Sequence, residues 1–253
     1  MSLNISEIFY SIQGEGVTTG IPSIFIRTQS CNLMCGGPLG KLMKEGKATW
    51  WCDSETVWKG GKVYTNEDIE NKFIELGQLN NVLNGNTHLI WTGGEPTIAR
   101  NANGIIEFLD YINNKYPTAN IYNEIETNGS LVVPEAFYKD KKYINQINCS
   151  AKLANSGMPK AMRINKDAIA QITAHPNHWF KIVVSTEQDV QEVFEDYMKP
   201  FFISNNRLLL MPGVDNLNDL SERTRFVMDM AKKYNVRMCT RAHILAWDRV
   251  TGV

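Results

Sequence analysis

Three of the five cysteines in this chain lie in one short segment, CNLMCGGPLGKLMKEGKATWWCD, which begins at Cys31 and ends at Asp53. Three residues separate Cys31 from Cys35, and 16 residues separate Cys35 from Cys52. A tight cluster of thiols without the spacing of a disulfide framework indicates a metal site or a catalytic site. Residues 36–51 are rich in glycine and lysine, which is typical of an inserted loop.

Thiolates at this spacing are compatible with two kinds of metal site. A structural zinc ion needs four ligands, commonly in two close pairs, whereas this segment has one Cys-x3-Cys pair and one further cysteine, with no histidine nearby. An iron–sulfur cluster held by only three cysteines leaves one iron open to a substrate or a cofactor. On the residues alone both sites stay open, as does a third interpretation in which the cysteines are buried without a ligand.

The composition limits the class of protein. The chain has 253 residues, 26 basic and 27 acidic side chains and a net charge of −1, and 43% of its residues are hydrophobic. No global field favours nucleic acid or a membrane surface. The sequence contains neither a charged leader nor an apolar run of about 20 residues. We therefore expect one soluble, cytoplasmic domain over residues 1–253.

Strand-like and helix-like segments alternate along the chain, which is typical of parallel strands in a barrel or a doubly wound sheet. Ser23–Gln29 is a predicted strand, Thr65 caps a predicted helix that extends to about Leu76, and a further helix is predicted over about Glu187–Met198. Several predicted strands end in TQSC, TGGEP, ETNG, SAK or MPG. Because barrel active sites lie at the C-terminal ends of the strands, these motifs mark the expected site.

Residues outside these motifs are expected to have structural roles. Cys149 and Cys239 lie within apolar strands and are predicted to be core residues, and Phe108 is predicted to pack in the interior. His175 and His178 flank a Pro-Asn turn, so we expect them in a solvated loop and not as ligands.

The cysteine segment resembles the radical S-adenosylmethionine (SAM) signature, Cys-x3-Cys-x-aromatic-Cys, with Trp51 as the aromatic residue and residues 36–51 as an insertion. The longer loop costs roughly 2 kcal/mol more to close, which iron–thiolate bonding should outweigh. TGGEP, at Thr92–Pro96, is similar to the SAM-binding GGEP motif, and ETNG, at Glu126–Gly129, resembles a further superfamily element. The resemblance implies an α/β fold, a partial TIM-like β/α barrel of the radical SAM type with a loop inserted in the cluster-binding segment.

Two further motifs narrow the resemblance to the 7-carboxy-7-deazaguanine synthases of the queuosine pathway. They are SIQGEG, at Ser11–Gly16, and FIR, at Phe25–Arg27, and the likeness extends over nearly the whole chain. It implies conversion of 6-carboxy-5,6,7,8-tetrahydropterin to 7-carboxy-7-deazaguanine with loss of ammonia, through a 5′-deoxyadenosyl radical. It also implies a [4Fe-4S] cluster, SAM, Mg²⁺, an electron donor such as flavodoxin, and a homodimer.

The resemblance assigns site residues by position, without a catalytic residue beyond the ligands of the cofactors and the substrate. The expected cluster ligands are Cys31, Cys35 and Cys52. The expected SAM contacts are Trp51, Cys52, Asp53, Gly93, Gly94, Glu95, Glu126, Ser150, Ala151 and Lys152. The expected substrate contacts are Ile12, Gln13, Gly14, Glu15, Arg27, Thr92, His243 and Val253, and Ser54 is the expected Mg²⁺ ligand.

The chain departs from the family pattern at three positions. Ala151 replaces the proline of Ser-Pro-Lys, Met211 replaces a glutamine of some relatives, and Ser54 replaces the Mg²⁺-binding threonine of Cys-Asp-Thr. A hard cation accepts any hydroxyl oxygen, although serine is less restrained in χ1.

Two other functions stay open on the sequence. A different radical SAM enzyme, such as a glycyl-radical activase, fits the cysteines, and so does a zinc-stapled binding protein that is not an enzyme. The lysines of the insertion, Lys41, Lys44 and Lys47, form either a solvated face or a docking site for an acidic electron donor.

Overall fold

The computed structural model describes residues 2–52, 54–140, 142–250 and 252. Asp53 and Val253, two of the expected site residues, therefore lie outside the described residues. The strands within the described ranges are β1 Ser2–Ile12, β2 Pro22–Thr28, β3 Lys62–Thr65, β4 His88–Gly93, β5 Asn123–Thr127, β6 Gln146–Cys149, β7 His178–Val184, β8 Leu208–Pro212 and β9 Arg237–Met238. They form one sheet in the order β3-β1-β2-β4-β5-β6-β7-β8-β9.

Helices connect these strands and pack on the sheet. They are α1 Lys41–Lys44, α2 Glu55–Trp58, α3 Asn66–Glu75, α4 Leu79–Leu83, α5 Ala99–Lys115, α6 Glu135–Lys139, α7 Lys160–Arg163, α8 Lys166–Ala174, α9 Glu187–Val193, α10 Leu217–Tyr234 and α11 Ala242–Trp247. Across the described ranges, no helix combines the length and the apolar character that a membrane span requires.

The predicted parallel α/β architecture is confirmed. Strands β2 and β4 to β9 pair in parallel, so their carboxyl ends meet at one edge of the sheet. The sheet is open, with β3 and β9 as its edges, as in an incomplete barrel. Strand β1 pairs antiparallel with both β2 and β3, which the alternation of strands and helices did not predict. Because Ile12 pairs with Pro22, the turn after β1 leaves the sheet beside the amino end of β2, at the edge opposite the parallel carboxyl ends.

Local capping chemistry fixes the start of α3. The Thr65 hydroxyl accepts a hydrogen bond from the Asp68 amide at 3.1 Å, and the Asp68 carboxylate accepts one from the Thr65 amide at 2.9 Å. This capping box confirms the predicted helix start. The helix predicted over 187–198 divides instead into α9 and a π-helical turn at Phe194–Met198.

The buried residues form a core between the sheet and its helices. Phe108 is fully buried, and its ring makes edge contacts with Phe73 at 5.9 Å and Trp91 at 5.7 Å between centroids. Cys149 and Cys239 are also buried, as predicted.

The prediction of a solvated loop is wrong for His175, which is 1% exposed. Its Nε2 lies 3.0 Å from the Ile144 carbonyl oxygen, and its Nδ1 accepts a hydrogen bond from the Asn177 amide. Both ring nitrogens therefore have partners within the fold, which allows the ring to be buried beside a turn.

We expect Phe108→Ala to lower the free energy of unfolding by about 3–5 kcal/mol, because it leaves a cavity among aromatic rings. Phe202→Ala is the matched control, since the Phe202 side chain is 95% exposed and its loss should change stability by less than about 0.5 kcal/mol. Urea denaturation followed by tryptophan fluorescence measures both. Equal midpoints for the two variants would contradict the assignment of Phe108 to the core.

Candidate active site

Two adjoining cavities lie at the carboxyl edge of the sheet. The cysteine cavity has a volume of about 500 Å³ and is lined by Cys31, Cys35 and Cys52 together with the ends of β4, β5 and β6. The arginine cavity has a volume of about 370 Å³ and is lined by Arg27, the turn after β1 and the C-terminal segment. The residues that line both cavities, and so form their common wall, are Glu15, Trp51, Ser54, Thr92, Glu126, Lys181, Asp215, Arg241 and Arg249.

The insertion folds back so that the third cysteine lies beside the first two. The Cys52 amide donates a hydrogen bond to the Cys35 carbonyl oxygen at 3.1 Å, which closes the loop. The indole of Trp50 donates to the Asn155 side chain at 2.9 Å, which fixes the loop to the chain after β6. Met43, Thr49, Trp50 and Trp51 of the insertion line the cysteine cavity. The cysteine segment therefore forms one site with an inserted wall.

The arrangement of the thiols suits an iron–sulfur cluster. Among the described residues, no three Cys, His, Asp or Glu side chains converge closely enough to hold a single metal ion. The three cysteines nevertheless line one cavity. Three thiols that line one cavity can hold a cluster and leave one of its irons open to a further ligand. Burial, and next the charge of Glu95, raise the pKa of the Cys31 thiol to about 12, so metal binding has to displace its proton.

Glycines at the end of β4 let two loops touch. A Cβ atom on Gly94 would lie 1.8 Å from the Ser30 carbonyl oxygen, and one on Gly93 would lie 2.4 Å from the Thr28 backbone. Gly93 also has a φ of 111°, a backbone conformation that residues with a Cβ atom rarely adopt. Both glycines line the cysteine cavity, within the segment where SAM contacts are expected.

The side chain of Glu95, one of the expected SAM contacts, lines neither cavity. The carboxylate is 1% exposed and accepts hydrogen bonds from the Thr97 amide, the Thr127 hydroxyl and the Asn128 amide. Glu95 thus ties the end of β4 to the end of β5 and is used within the protein. Ala151 is likewise buried and lines neither cavity.

The amine and the hydroxyl of the Ser-Ala-Lys motif face the cysteine cavity. Lys152 Nζ donates to Ser150 Oγ at 2.9 Å and lies 5.5 Å from the centroid of the Trp50 ring. Both residues line the cavity, as does Met211. The proline of the family motif is thus not required to bring these two groups together.

Arg27 occupies one end of the arginine cavity, beside Ser54. Its Nε donates to Glu7 Oε2 at 2.8 Å, and its NH1 donates to Ser54 Oγ at 3.2 Å. The antiparallel pairing of β1 with β2 places Glu7 opposite Arg27 and Phe9 opposite Phe25. The two phenyl rings stack at 5.1 Å and line the same cavity.

The turn after β1 and the C-terminal segment meet at the other end of this cavity. The Ala242 amide donates to the Gly14 carbonyl oxygen at 2.9 Å, and a Cβ atom on Gly14 would lie 2.6 Å from His243 Nδ1. Gly14 is therefore required for this contact. Gln13, His243 and the half-exposed Ile12 line the cavity here, as the sequence assignment expects.

A buried group of charges occupies the common wall. Lys181 Nζ lies 2.8 Å from Glu15 Oε2 and 2.9 Å from Glu126 Oε2, and Arg241 Nε donates to Glu15 Oε1 at 2.8 Å. Although burial opposes ionisation, Lys181 and Arg241 hold the pKa of Glu15 well below its usual value. Burial raises the pKa of Glu126, and the nearby Lys181 offsets this effect only in part. The two carboxylates in turn hold the pKa of Lys181 well above its ordinary value despite its burial.

Sequence reasoning missed Lys181 and Arg241. Lys181 is the charged residue in the apolar strand HWFKIVVS, and it shares the face of β7 that carries Trp179 and Val183. A single charge in such a strand is a usable signal for an interior polar site. Arg241 lies between β9 and α11, where nothing in the sequence indicates an approach to Glu15.

No protein-family model matches the chain, but curated proteins are similar to it over its full length. The 7-carboxy-7-deazaguanine synthase of Pyrobaculum aerophilum is 28% identical over 253 residues, which cover 99% of this chain and 97% of that protein. Seven further curated proteins of the same name align over 94–100% of this chain at 23–29% identity.

Two solved structures share the fold. The crystal structure of QueE from Escherichia coli matches with a TM-score of 0.65 and 20% identity over 96% of this chain and 95% of that chain. The structure of anSMEcpe with bound AdoMet matches with a TM-score of 0.51 and 18% identity over 84% of this chain and 59% of that chain. The chain therefore shares the fold of these two proteins. Over its full length, the chain is similar to proteins named 7-carboxy-7-deazaguanine synthase.

We expect Cys35→Ala to lose the visible absorbance of an iron–sulfur cluster after anaerobic reconstitution, together with most of the iron and sulfide, because an iron loses its thiolate. Cys149→Ala is the matched control, since Cys149 is buried outside both cavities and the variant should keep the cluster. Intact absorbance in Cys35→Ala would overturn the ligand assignment. Zinc without iron or sulfide in the unaltered protein would exclude the cluster altogether.

Proposed function

We propose that the protein converts 6-carboxy-5,6,7,8-tetrahydropterin to 7-carboxy-7-deazaguanine with release of ammonia. The observation that carries this function is the common wall of the two cavities. It brings a site for a cluster and SAM against a second site, which has an arginine at one end and paired acidic and basic side chains at the other. Relatives that align over the full length of the chain are named for this activity, which supports the assignment.

Cys31, Cys35 and Cys52 would hold a [4Fe-4S] cluster with one open iron. Trp51, Gly93, Gly94, Ser150 and Lys152 line the remaining cavity and are the proposed SAM contacts. Bound there, the cluster and SAM supply the one-electron chemistry that starts the reaction. The chain's own contribution is to position the two ligands against each other and to keep water out, which the wall formed by the insertion favours.

The arginine cavity has complementary ends for a carboxypterin. Arg27 offers a planar fork that suits the substrate carboxylate. At the other end, Gln13, Glu15 and Glu126 present side-chain oxygens that can accept hydrogen bonds from ring N–H groups. A bound pterin would therefore lie with its carboxylate beside Arg27 and its amino-pyrimidine ring toward the C-terminal segment.

A Mg²⁺ ion at Ser54 is the proposed third cofactor. The hydroxyl lies 3.2 Å from Arg27 NH1, so an ion there needs an anion between it and the guanidinium. The substrate carboxylate supplies that charge, and oxygen ligands suit Mg²⁺. The ion would then orient the carboxylate during ring contraction.

The reconstituted protein, supplied anaerobically with SAM, dithionite, Mg²⁺ and 6-carboxytetrahydropterin, should form 5′-deoxyadenosine and 7-carboxy-7-deazaguanine, which mass spectrometry detects. Omission of Mg²⁺ should slow product formation, and Ser54→Ala should remove that dependence. 5′-Deoxyadenosine without the deazaguanine acid would reject this substrate, and glycyl-radical formation on an added protein would indicate an activase. A rate that does not change without Mg²⁺ would reject the metal assignment.

An acidic electron donor such as flavodoxin is the proposed redox partner, docking on the insertion. Lys41 and Lys47 have side chains that are 70% and 67% exposed, and Lys44 is also exposed. Met43, between them, is 38% exposed and also lines the cysteine cavity, so this surface lies one side chain from the proposed cluster. Lysines near such a path increase the association rate of an acidic partner.

Replacing Lys41, Lys44 and Lys47 with alanine should raise the KM for flavodoxin several-fold at low salt while the dithionite-driven rate stays unchanged. The matched control replaces Lys139, Lys142 and Lys232, whose side chains are 59%, 48% and 77% exposed on other elements. Equal flavodoxin-driven turnover in both triple variants would reject the docking site.

The family resemblance also supports a homodimer. Sedimentation equilibrium of the reconstituted protein tests this proposal, and a monomer at micromolar concentration would reject it.

A further inference from the structure

Lys181 is a buried cation in the common wall of the two cavities, and the proposed function assigns it no role so far. It extends from β7 on the face that carries Trp179 and Val183, while Phe180 and Ile182 point into the apolar core. Its side chain is 5% exposed, yet it lines both cavities. A lysine this deeply buried is unfavourable unless it is paired.

The ammonium group divides its contacts between two carboxylates. It holds Oε2 of Glu15 at 2.8 Å and Oε2 of Glu126 at 2.9 Å. The other oxygen of Glu15 is bound by Arg241 at 2.8 Å. Within the described part of the chain, the other oxygen of Glu126 accepts two long hydrogen bonds, from Gln13 Nε2 and Asn148 Nδ2, each at 3.4 Å. Glu126 Oε1 is therefore the most weakly held of the four oxygens, and it belongs to a residue that lines both cavities.

Burial raises the pKa of Glu126, and Lys181 opposes this by favouring the ionised carboxylate. The groups that face this carboxylate are Glu15 from the turn after β1, Glu124 from its own strand, Asn148 from β6 and Lys181 from β7. Among the charged members of this set, two are acidic and Lys181 is the cation. Without Lys181, ionised Glu126 would be buried near like charges, and the proton would be favoured.

We propose that Lys181 is a positioning residue for the reaction, whose ammonium holds Glu15 and Glu126 as a fixed pair of acceptors for the N–H groups of the pterin ring. This inference rests on the proposed function. A carboxypterin brings one carboxylate, which Arg27 receives at the far end of the cavity, and a ring edge rich in N–H donors. Two acceptors at a fixed separation select one orientation of that edge, and so fix which ring atoms face the cysteine cavity.

The test compares three substitutions at this position in the reconstituted holoenzyme. Lys181→Met and Lys181→Gln remove the charge, and each should raise the KM for the pterin roughly tenfold or more, the value of a lost hydrogen bond to a charged group. Misplaced substrate should also increase the ratio of 5′-deoxyadenosine to deazaguanine product. Lys181→Arg keeps the charge and should recover part of both effects.

The pH profile provides a readout that a merely structural role would not change. Loss of the cation raises the pKa of Glu126 further, so the acidic limb of kcat/KM should move to higher pH in Lys181→Met and Lys181→Gln. Lys115→Met is the matched control. Lys115 pairs with the buried Glu70 at 2.6 Å between α5 and α3 and lines neither cavity, so this variant should keep the KM and the pH profile within about twofold of the original.

The melting temperature shows which of the two neutral variants is folded, and the cluster absorbance shows which of them contains the cluster. A folded, loaded Lys181→Met or Lys181→Gln with the original KM, product ratio and pH profile would overturn the inference. If the unaltered protein cleaves SAM without making the deazaguanine acid, the proposed function fails and the role of Lys181 fails with it. The first outcome leaves the unaltered enzyme active, so the two failures are distinguishable.

Discussion

The close approach of two backbone segments at the ends of β2 and β4 is the constraint on which the rest of the site depends. The Gly94 amide donates to the Thr28 carbonyl oxygen at 3.0 Å, and the Glu95 amide donates to the Ser30 carbonyl oxygen at 2.8 Å. These bonds continue the parallel ladder beyond the strands, and a side chain at Gly94 would collide with Ser30. The loop that carries Cys31 is thereby held against the loop that carries the glycines. Cys31 and the glycines of TGGEP therefore line one cavity.

Buried charge is the second organising feature. The interior face of the sheet carries Glu124, Glu126, Asn148 and Lys181 where a closed barrel has apolar layers. Glu124 is fully buried and accepts hydrogen bonds from Thr18, Gln146 and Asn148, with His88 at 2.7 Å. Each carboxylate therefore has partners on neighbouring strands, which offsets its desolvation. This network fixes the relative positions of four strands and, through Glu126 and Lys181, the wall between the two cavities.

The insertion shows how a familiar signature tolerates a long spacer. The added residues do not lie between separated ligands, because the chain leaves the site at Gly36 and returns at Trp51, where the two residues are packed together. The buried carboxylate of Glu55 accepts one bifurcated hydrogen bond from the Leu39 amide, at 3.0 and 3.2 Å, which ties the first turn of the loop to α2. The spacer is thus built into the cavity wall, and its exposed lysines become available to a partner.

The sequence by itself determined the clustering of three cysteines, the glycines of TGGEP, the parallel α/β alternation and the capping box at Thr65, because each depends on residue type and short-range spacing. The motif ETNG at a predicted strand end indicated Glu126 as a site residue, and the family resemblance of SIQGEG and FIR implied Gln13 and Arg27. Only the tertiary structure decided that Glu95 turns into the protein, that His175 is buried, and that β1 runs antiparallel to β2. It alone brought Lys181 and Arg241 to Glu15, across 166 and 226 positions of the chain. Such pairings leave no local pattern, since they result from the packing of distant strands around a shared cavity and not from the period of any one segment.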